Sequence, residues 1–221
     1  MPWKCFLIEP SPYCRLSLRR FTFSKETVGD TSIGFRTVEK SCPRGKDWGH
    51  DAFVVIANQV EAQNERSTLK GEFEGDPRWP ARCVSCAYVF EERDQWQVNY
   101  DQLWKGSPDG KLYVLRESPP GAMWHAHWLE DATPNRYTGP DGKAWCLMMP
   151  GGVEWIVYGH SSIGEGKDRK EGPKWQVAGA PPNITAHPSI AIGKRYHGFV
   201  KGGVISADCE GRKFPVWPST A

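Results

Sequence analysis

The closest pair of cysteines in this chain, Cys83 and Cys86, stands in the stretch RCVSCAY with two residues between the thiols. Cysteines at this spacing can bind a metal, exchange thiol for disulfide, or close a disulfide bond. Redox pairs stand at the start of a helix, whose dipole lowers the thiol pKa, but the following AYVFEERDQWQV does not predict a helix. We expect no secretory signal and therefore reduced thiols, so the pair is interpreted as metal-binding.

Two further ligands for a zinc ion are predicted upstream, in the stretch SCPRGKDWGH. This stretch combines Cys42 and His50 with glycine and proline, the composition of a tight loop that can wrap around an ion. The predicted metal ligands are Cys42, His50, Cys83 and Cys86. Four protein ligands complete the tetrahedral shell, so the predicted cofactor is a structural zinc that stabilises a loop-rich region.

Alternatives to this site stay open. Cys5 or Cys14 could replace Cys42, or the four side chains could bind no metal. His125 and His127 in MWHAHW are predicted to share one face of a strand, as two metal ligands would. The second half contains further residues whose spacing does not require them to cluster: Cys146, His160, His187, His197 and Cys209.

Patterns typical of enzymes are absent from the sequence. It contains no phosphate-binding loop, no nucleophile elbow and no paired carboxylates at a motif spacing. No acidic residue stands at a motif spacing from His125 and His127. We therefore expect a non-enzymatic protein, with a metal-dependent hydrolase or nuclease as a minor alternative.

The elements that must position these residues are predicted to be short antiparallel strands, with long loops and little helix. The 221 residues include 11 Trp, 23 Gly and 18 Pro, a mixture typical of strands joined by tight turns. The Pro-Asp-Gly turn predicts a hairpin over 95–117, and a meander is predicted over 139–159. A Gly-Gly turn predicts a last hairpin near residue 202, whereas residues 160–173 are predicted to be a loop.

The domain organisation is predicted from a change in cysteine pattern near residue 118. Residues 1–118 would form a zinc-stabilised β-rich region and residues 119–221 a β-meander region, or both would form one continuous domain. The net charge of +2 does not favour a nucleic-acid partner, although it does not exclude one. No apolar run approaches about 20 residues, so we expect no membrane span.

Several strings resemble, in the same order, a family of tailed-bacteriophage and prophage proteins of unknown function. They are PWKCFLIEP, RLSLRRF, DPRWPARCVSCAYVF, PPGAMWHAHW, GPDGKAWCLMMPGG and, near the end, APPNIT followed by YHGFVKGGV. The resemblance spans nearly the whole chain and includes the Cys83/Cys86 loop with an upstream cysteine. It implies a phage origin but no particular chemistry.

Two classes of function follow from composition and resemblance. The first is a virion component, such as a decoration or head–tail accessory protein, in contact with capsid or tail proteins, and a homo-oligomer stays open as an alternative. The second is an accessory factor in the host cytoplasm that binds a host protein or nucleic acid. A compact β-rich fold with near-neutral charge favours the first class.

Overall fold

The structure, a computed structural model, describes residues 2–22, 50–61, 71–84, 86–132, 135–163 and 170–214. Strands predominate, which confirms the predicted mainly β class. The strands are β1 Trp3–Lys4, β2 Phe6–Phe21, β3 Asp51–Glu61, β4 Gln95–Gly106, β5 Leu112–Val114, β6 Ala122–His125, β7 Trp145–Met149, β8 Val153–Ile156, β9 His160–Ile163, β10 Lys170–Lys174, β11 Gln176–Ala178, β12 Thr185–His187, β13 Ile190–Ile192, β14 Tyr196–Gly198, β15 Val200–Lys201 and β16 Val204–Ile205.

The chain divides into two compact units. The first unit contains Met1–Pro10 and Trp104–Ala221, and the second contains Ser11–Leu103. Strands β2 and β4 each begin in one unit and end in the other. The division predicted at residue 118 stays a prediction.

The first unit is built on a sheet in the order β5-β4-β2-β6-β7-β8, to which β2 and β4 contribute their residues in this unit. Strand β6 runs parallel to β2, with Phe6 opposite Ala122, and antiparallel to β7. Residues 146–149 of β7 are all buried, so both faces of this strand are covered. That burial explains its continuous apolar sequence CLMM, which lacks the alternation of a strand with one face in water.

Tight turns close the hairpins of the first unit where turn residues predicted them. Strands β4 and β5 are neighbours, and the N–H of Gly106 donates to Lys111 O at 2.8 Å across the Pro-Asp-Gly turn. Strands β7 and β8 pair as the predicted meander requires, and β15 pairs with β16 around Gly202 and Gly203. Both of these glycines have positive φ, a conformation that glycine adopts without steric cost.

Two local predictions were wrong. Residues 160–173 were predicted to be a loop, yet β9 and β10 pair there, with Glu171 opposite Ser162. His125 and His127 do not share a strand face, because His125 ends β6 and His127 begins the helix α1, His127–Ala132. This is the one α-helix of the described residues, and no helix among them has the length and hydrophobicity to cross a membrane.

The second unit contains the antiparallel pair of β2 and β3, in which Phe21 lies opposite Asp51. A small buried cluster of Ala52, Cys83 and Phe90 lies beside the start of β3. Because this cluster is small, its apolar burial supplies little of the free energy needed to order the surrounding loops.

Candidate metal centre

Cys83 and Cys86 lie on a tight chain reversal rather than at the start of a helix. Arg82 and Val89 form an antiparallel bridge, the N–H of Cys83 donates to Tyr88 O at 2.8 Å, and the N–H of Ala87 donates to Cys83 O at 3.1 Å. Ala87 closes the turn with a φ of +58°, in the left-handed region. The prediction that no helix follows the pair is confirmed.

His50 immediately precedes β3 and reaches the same point from the other side of the site. Its N–H donates to Thr22 Oγ1 at 2.7 Å, and its carbonyl accepts the N–H of Thr22 at 2.9 Å. One residue later, Asp51 O accepts the N–H of Val84, between the two cysteines, at 3.4 Å. The backbone therefore connects the segment carrying His50 with the turn carrying both thiols.

The side chains of His50, Cys83 and Cys86 converge. Cys86 Sγ lies 3.3 Å from His50 Nδ1, and one ligand atom from each of the three residues lies within 4.8 Å of the others. In a tetrahedral zinc site, neighbouring sulfur and nitrogen ligands lie about 3.5 Å apart. The three side chains thus form a group that could bind a metal ion. Without a metal, the 3.3 Å distance between Cys86 Sγ and His50 Nδ1 is compatible with a thiol–imidazole hydrogen bond.

Aromatic and charged neighbours fix the orientation of this group. The ring of Tyr88 stacks on the imidazole of His50 with the centroids 3.9 Å apart, and Tyr88 Oη donates to Asp94 Oδ2 at 3.3 Å. Cys83 is buried, whereas Cys86 and His50 are half-buried. The imidazole therefore has one face covered, and solvent reaches the site from the side of Cys86 and His50.

The fourth predicted ligand, Cys42, lies outside the described residues. The alternatives Cys5 and Cys14 are both buried, and neither belongs to the metal-binding group of the described residues. Burial raises the pKa of Cys5 to about 12, which favours the protonated thiol when no metal is bound. Burial also raises the pKa of Cys146.

The two histidines of MWHAHW belong to the first unit and are not members of the metal-binding group. His125 Nε2 lies 2.7 Å from Glu130 Oε1, which also accepts the N–H of Ala144 at 2.5 Å. The hydrogen bond from Ala144, followed by that from His125, lowers the pKa of Glu130. This carboxylate was not predicted as a partner of His125, because α1 was not predicted. Within the described ranges, His125 and His127 form no metal cluster with a third ligand.

Residues that support the metal-binding group were also missed. Thr22 is 28 positions from His50, and no motif spacing connects them. Comparisons of the chain with protein-family models, with curated proteins and with solved structures found no match. The evidence for a metal-binding role therefore comes from the residues and their geometry.

Proposed function

We propose that His50, Cys83 and Cys86, completed by Cys42, bind one structural zinc ion that stabilises the second unit. The observation that carries this proposal is the convergence of two thiols and an imidazole on one point. Sulfur and imidazole nitrogen are the donors that zinc prefers, and their geometry suits a tetrahedral ion. Cys42 stands eight positions before His50, close enough along the chain to supply the fourth ligand.

A structural role agrees with the packing around the site. The adjacent buried cluster is small, so a metal would add free energy of folding where apolar burial is limited. A fourth protein ligand would leave no position for a water or substrate molecule, which a catalytic zinc requires. The ion would then stabilise the turn of Cys83 and Cys86 against the start of β3.

The metal proposal is tested by elemental analysis of the full chain purified without a chelating tag. We expect about one zinc per chain, and a large loss of zinc in Cys83→Ser and Cys86→Ser. Cys209→Ser is the matched control, because Cys209 is exposed and outside the group. Less than about half a zinc per chain contradicts the proposal. Unchanged zinc affinity in Cys42→Ser contradicts only the fourth ligand.

For the biological role, we propose a structural or accessory protein of tailed-phage particles that acts through contact with other phage proteins. The resemblance of the sequence to tailed-phage proteins supports the phage origin that this role requires. The surface of the second unit supports it too, because exposed large hydrophobic side chains are frequent there and can bind a protein partner. They are Tyr13, Phe53, Val55, Val84 and Val89.

Mass spectrometry of purified particles, from the phage whose genome encodes the chain, tests this role. The expected result is the chain at several copies per particle. Its absence from the particles, together with salt-dependent binding of the purified protein to DNA or RNA, would instead support a nucleic-acid-binding accessory factor. Metal content and particle content are separate measurements, so the zinc proposal and the virion proposal can fail independently.

A further inference from the structure

Three polar side chains of the first unit lie in a contiguous series that no motif in the sequence indicated. Ser189 Oγ lies 3.1 Å from His197 Nε2, and His197 Nδ1 lies 3.3 Å from Glu210 Oε1. The two ring nitrogens of one histidine therefore contact a hydroxyl on one side and a carboxylate on the other. This order of groups is the one in which a histidine can act as a base toward a serine.

The hairpin of β13 and β14 positions the serine and the histidine. Ser189 immediately precedes β13, and Ala191 lies opposite His197 in the register of the pair. Because Ile190 is paired with Gly198, Ser189 lies one residue outside the paired part of the hairpin. Its hydroxyl is still within hydrogen-bond distance of the His197 ring. Ser189 and His197 are both half-buried, so an external reagent can reach the hydroxyl.

The segment 208–212 brings the carboxylate to the histidine, and it is attached to the backbone of His197 twice. The N–H of His197 donates to Asp208 Oδ2 at 2.8 Å, and the N–H of Cys209 donates to His197 O at 2.7 Å. Arg212 then donates to Glu210 Oε2, which leaves Oε1 directed at the imidazole. Glu210 is about half exposed, yet these contacts define where its carboxylate lies.

The two contacts favour one tautomer of neutral His197. An ionised carboxylate can only accept hydrogen bonds, so its position 3.3 Å from Nδ1 favours the tautomer with the proton on Nδ1. Nε2 is then unprotonated, and it faces the hydroxyl of Ser189 as an acceptor. This tautomer is the one in which Nε2 can remove the serine proton.

We propose that Ser189 is a nucleophile for acyl transfer, with His197 as its general base and Glu210 as the positioning residue that holds the imidazole tautomer. The substrate class is an accessible carboxylic ester. This activity goes beyond the proposed structural role, and its residues belong to the first unit, whereas the described metal ligands belong to the second.

The reaction proceeds in two balanced steps. Ser189 Oγ forms a bond to the ester carbonyl carbon while its proton moves to His197 Nε2. The ester C–O bond then breaks, and the alcohol leaves with the proton from Nε2. In the second step, the oxygen of a water molecule forms a bond to the acyl carbon while one water proton moves to His197 Nε2. The bond from Ser189 Oγ to that carbon then breaks, and Nε2 returns the proton to the serine oxygen.

An alkyl fluorophosphonate tests the nucleophile directly on the full chain. Attack forms a bond from Ser189 Oγ to phosphorus, fluoride leaves with the electrons of the P–F bond, and the hydroxyl proton moves to His197. We expect one adduct per chain, located at Ser189 by peptide mass spectrometry and absent in Ser189→Ala. His197→Gln should slow labelling by at least about 100-fold, the range of general base catalysis. Hydrolysis of 4-nitrophenyl acetate should fall in the same variants.

Matched controls come from another histidine–glutamate contact in the first unit. His160 Nδ1 lies 3.3 Å from Glu171 Oε1, and Ser161 donates to a backbone carbonyl instead of to that ring. His160→Gln and Ser161→Ala should leave the labelling of Ser189 unchanged. Circular dichroism of every variant checks that the fold is retained.

Glu210→Gln provides a test that does not depend on the folding of the histidine variant. We expect labelling about 10-fold slower, since the carboxylate that holds the tautomer is lost. The ¹⁵N shifts of His197, which report the tautomer, should show Nδ1–H in the wild type and a mixture in Glu210→Gln. No adduct at Ser189, or labelling at an unchanged rate in folded His197→Gln, would overturn the proposal.

Discussion

The backbone of His50 is hydrogen-bonded in both directions to a single residue, Thr22. The His50 N–H donates to Thr22 Oγ1 at 2.7 Å, and the Thr22 N–H donates to His50 O at 2.9 Å. Thr22 directly follows β2, and His50 directly precedes β3. The contact between them therefore adds one residue pair to the β2–β3 ladder, beyond the pair of Phe21 and Asp51. One of the two hydrogen bonds that hold the backbone of His50 therefore depends on a hydroxyl group.

Thr22→Val should weaken zinc binding without removing any ligand. Valine matches threonine in shape but leaves the N–H of His50 without its acceptor, and the loss of such supporting contacts weakens metal binding by about 10–100-fold. Competition with a coloured zinc chelator measures the dissociation constant. Thr22→Ser keeps the hydroxyl and should bind zinc nearly as well as the wild type. Equal affinity in the valine variant would mean that the hydroxyl does not position His50.

Ala87→Gly should stabilise the protein, the reverse of the usual effect of glycine. Ala87 has a φ of +58°, a conformation that costs a residue with a Cβ atom about 1–2 kcal/mol. Glycine removes that cost but adds about 0.4–1 kcal/mol of unfolded-state entropy, which leaves a net gain of up to about 1.6 kcal/mol. Urea unfolding of the zinc-loaded protein measures the free energy of unfolding.

Ala81→Gly is the matched control for the Ala87 substitution. Ala81 lies on the same chain reversal, and its φ is not in the left-handed region. Glycine there should lower the free energy of unfolding by about 0.5–1 kcal/mol. If both substitutions destabilise equally, the left-handed conformation of Ala87 contributes no strain.

Local features made much of the β-structure and two of the three residues of the metal-binding group predictable. The turn residues at 108–110 and 202–203 specify their hairpins through the conformations they allow, whatever the rest of the chain does. Cys83 and Cys86 were recognisable for the same reason, because two residues of turn bring both thiols to one side. Helix α1 was missed because six residues are too short for a helical period to appear.

Contacts between distant segments could not be read from the sequence. Glu210 meets His197 only because segment 208–212 attaches to the backbone of β14, and Ser189 meets the same ring only through the register of the β13–β14 hairpin. Neither the attachment nor the register is encoded in a spacing of residue types. His50 was predicted because it stands with Cys42 in one loop-like stretch, whereas Thr22, which holds it, gave no signal.

Breaking the ion pair of Arg19 and Asp51 should destabilise the second unit. Arg19 Nε lies 2.9 Å from Asp51 Oδ1 and its Nη2 lies 2.5 Å from Oδ2, and the Asp51 side chain is only 2% exposed. Asp51→Asn replaces two charged contacts with weaker ones and should lower the free energy of unfolding by about 2 kcal/mol. The loss should be smaller than for a fully buried ion pair, because solvent partly reaches Arg19. Arg19→Lys should also destabilise, since an ammonium cannot make the forked contact.

The control for this ion pair is an exposed pair in the same unit, Arg93 and Glu91. Their side chains are 79% and 53% exposed. Glu91→Gln should change the free energy of unfolding by less than about 0.5 kcal/mol, since solvent screens such pairs. Equal effects of Asp51→Asn and Glu91→Gln in urea unfolding would show that burial does not strengthen the Arg19 pair.

The carboxylate of Asp208 anchors segment 208–212 and should make stability depend on pH in the acid range. Burial alone would raise the pKa of Asp208, but hydrogen bonds from the N–H groups of His197, Arg212 and Glu210 and from the Arg212 guanidinium outweigh it. They hold the pKa of the folded carboxyl at about 2, compared with an ordinary value of 3.8. As pH falls, the unfolded chain therefore binds the proton first.

It follows that the ionised Asp208 stabilises the fold fully above about pH 4 and loses this contribution as pH falls through about 2. Asp208→Asn lacks a titrating carboxyl, so the wild type should be more stable than the variant near neutral pH, and the difference should shrink between about pH 4 and pH 2. Thermal unfolding of both proteins across this range measures the difference. A difference that stays constant down to pH 2 would mean that the hydrogen bonds to Asp208 do not favour its ionised form.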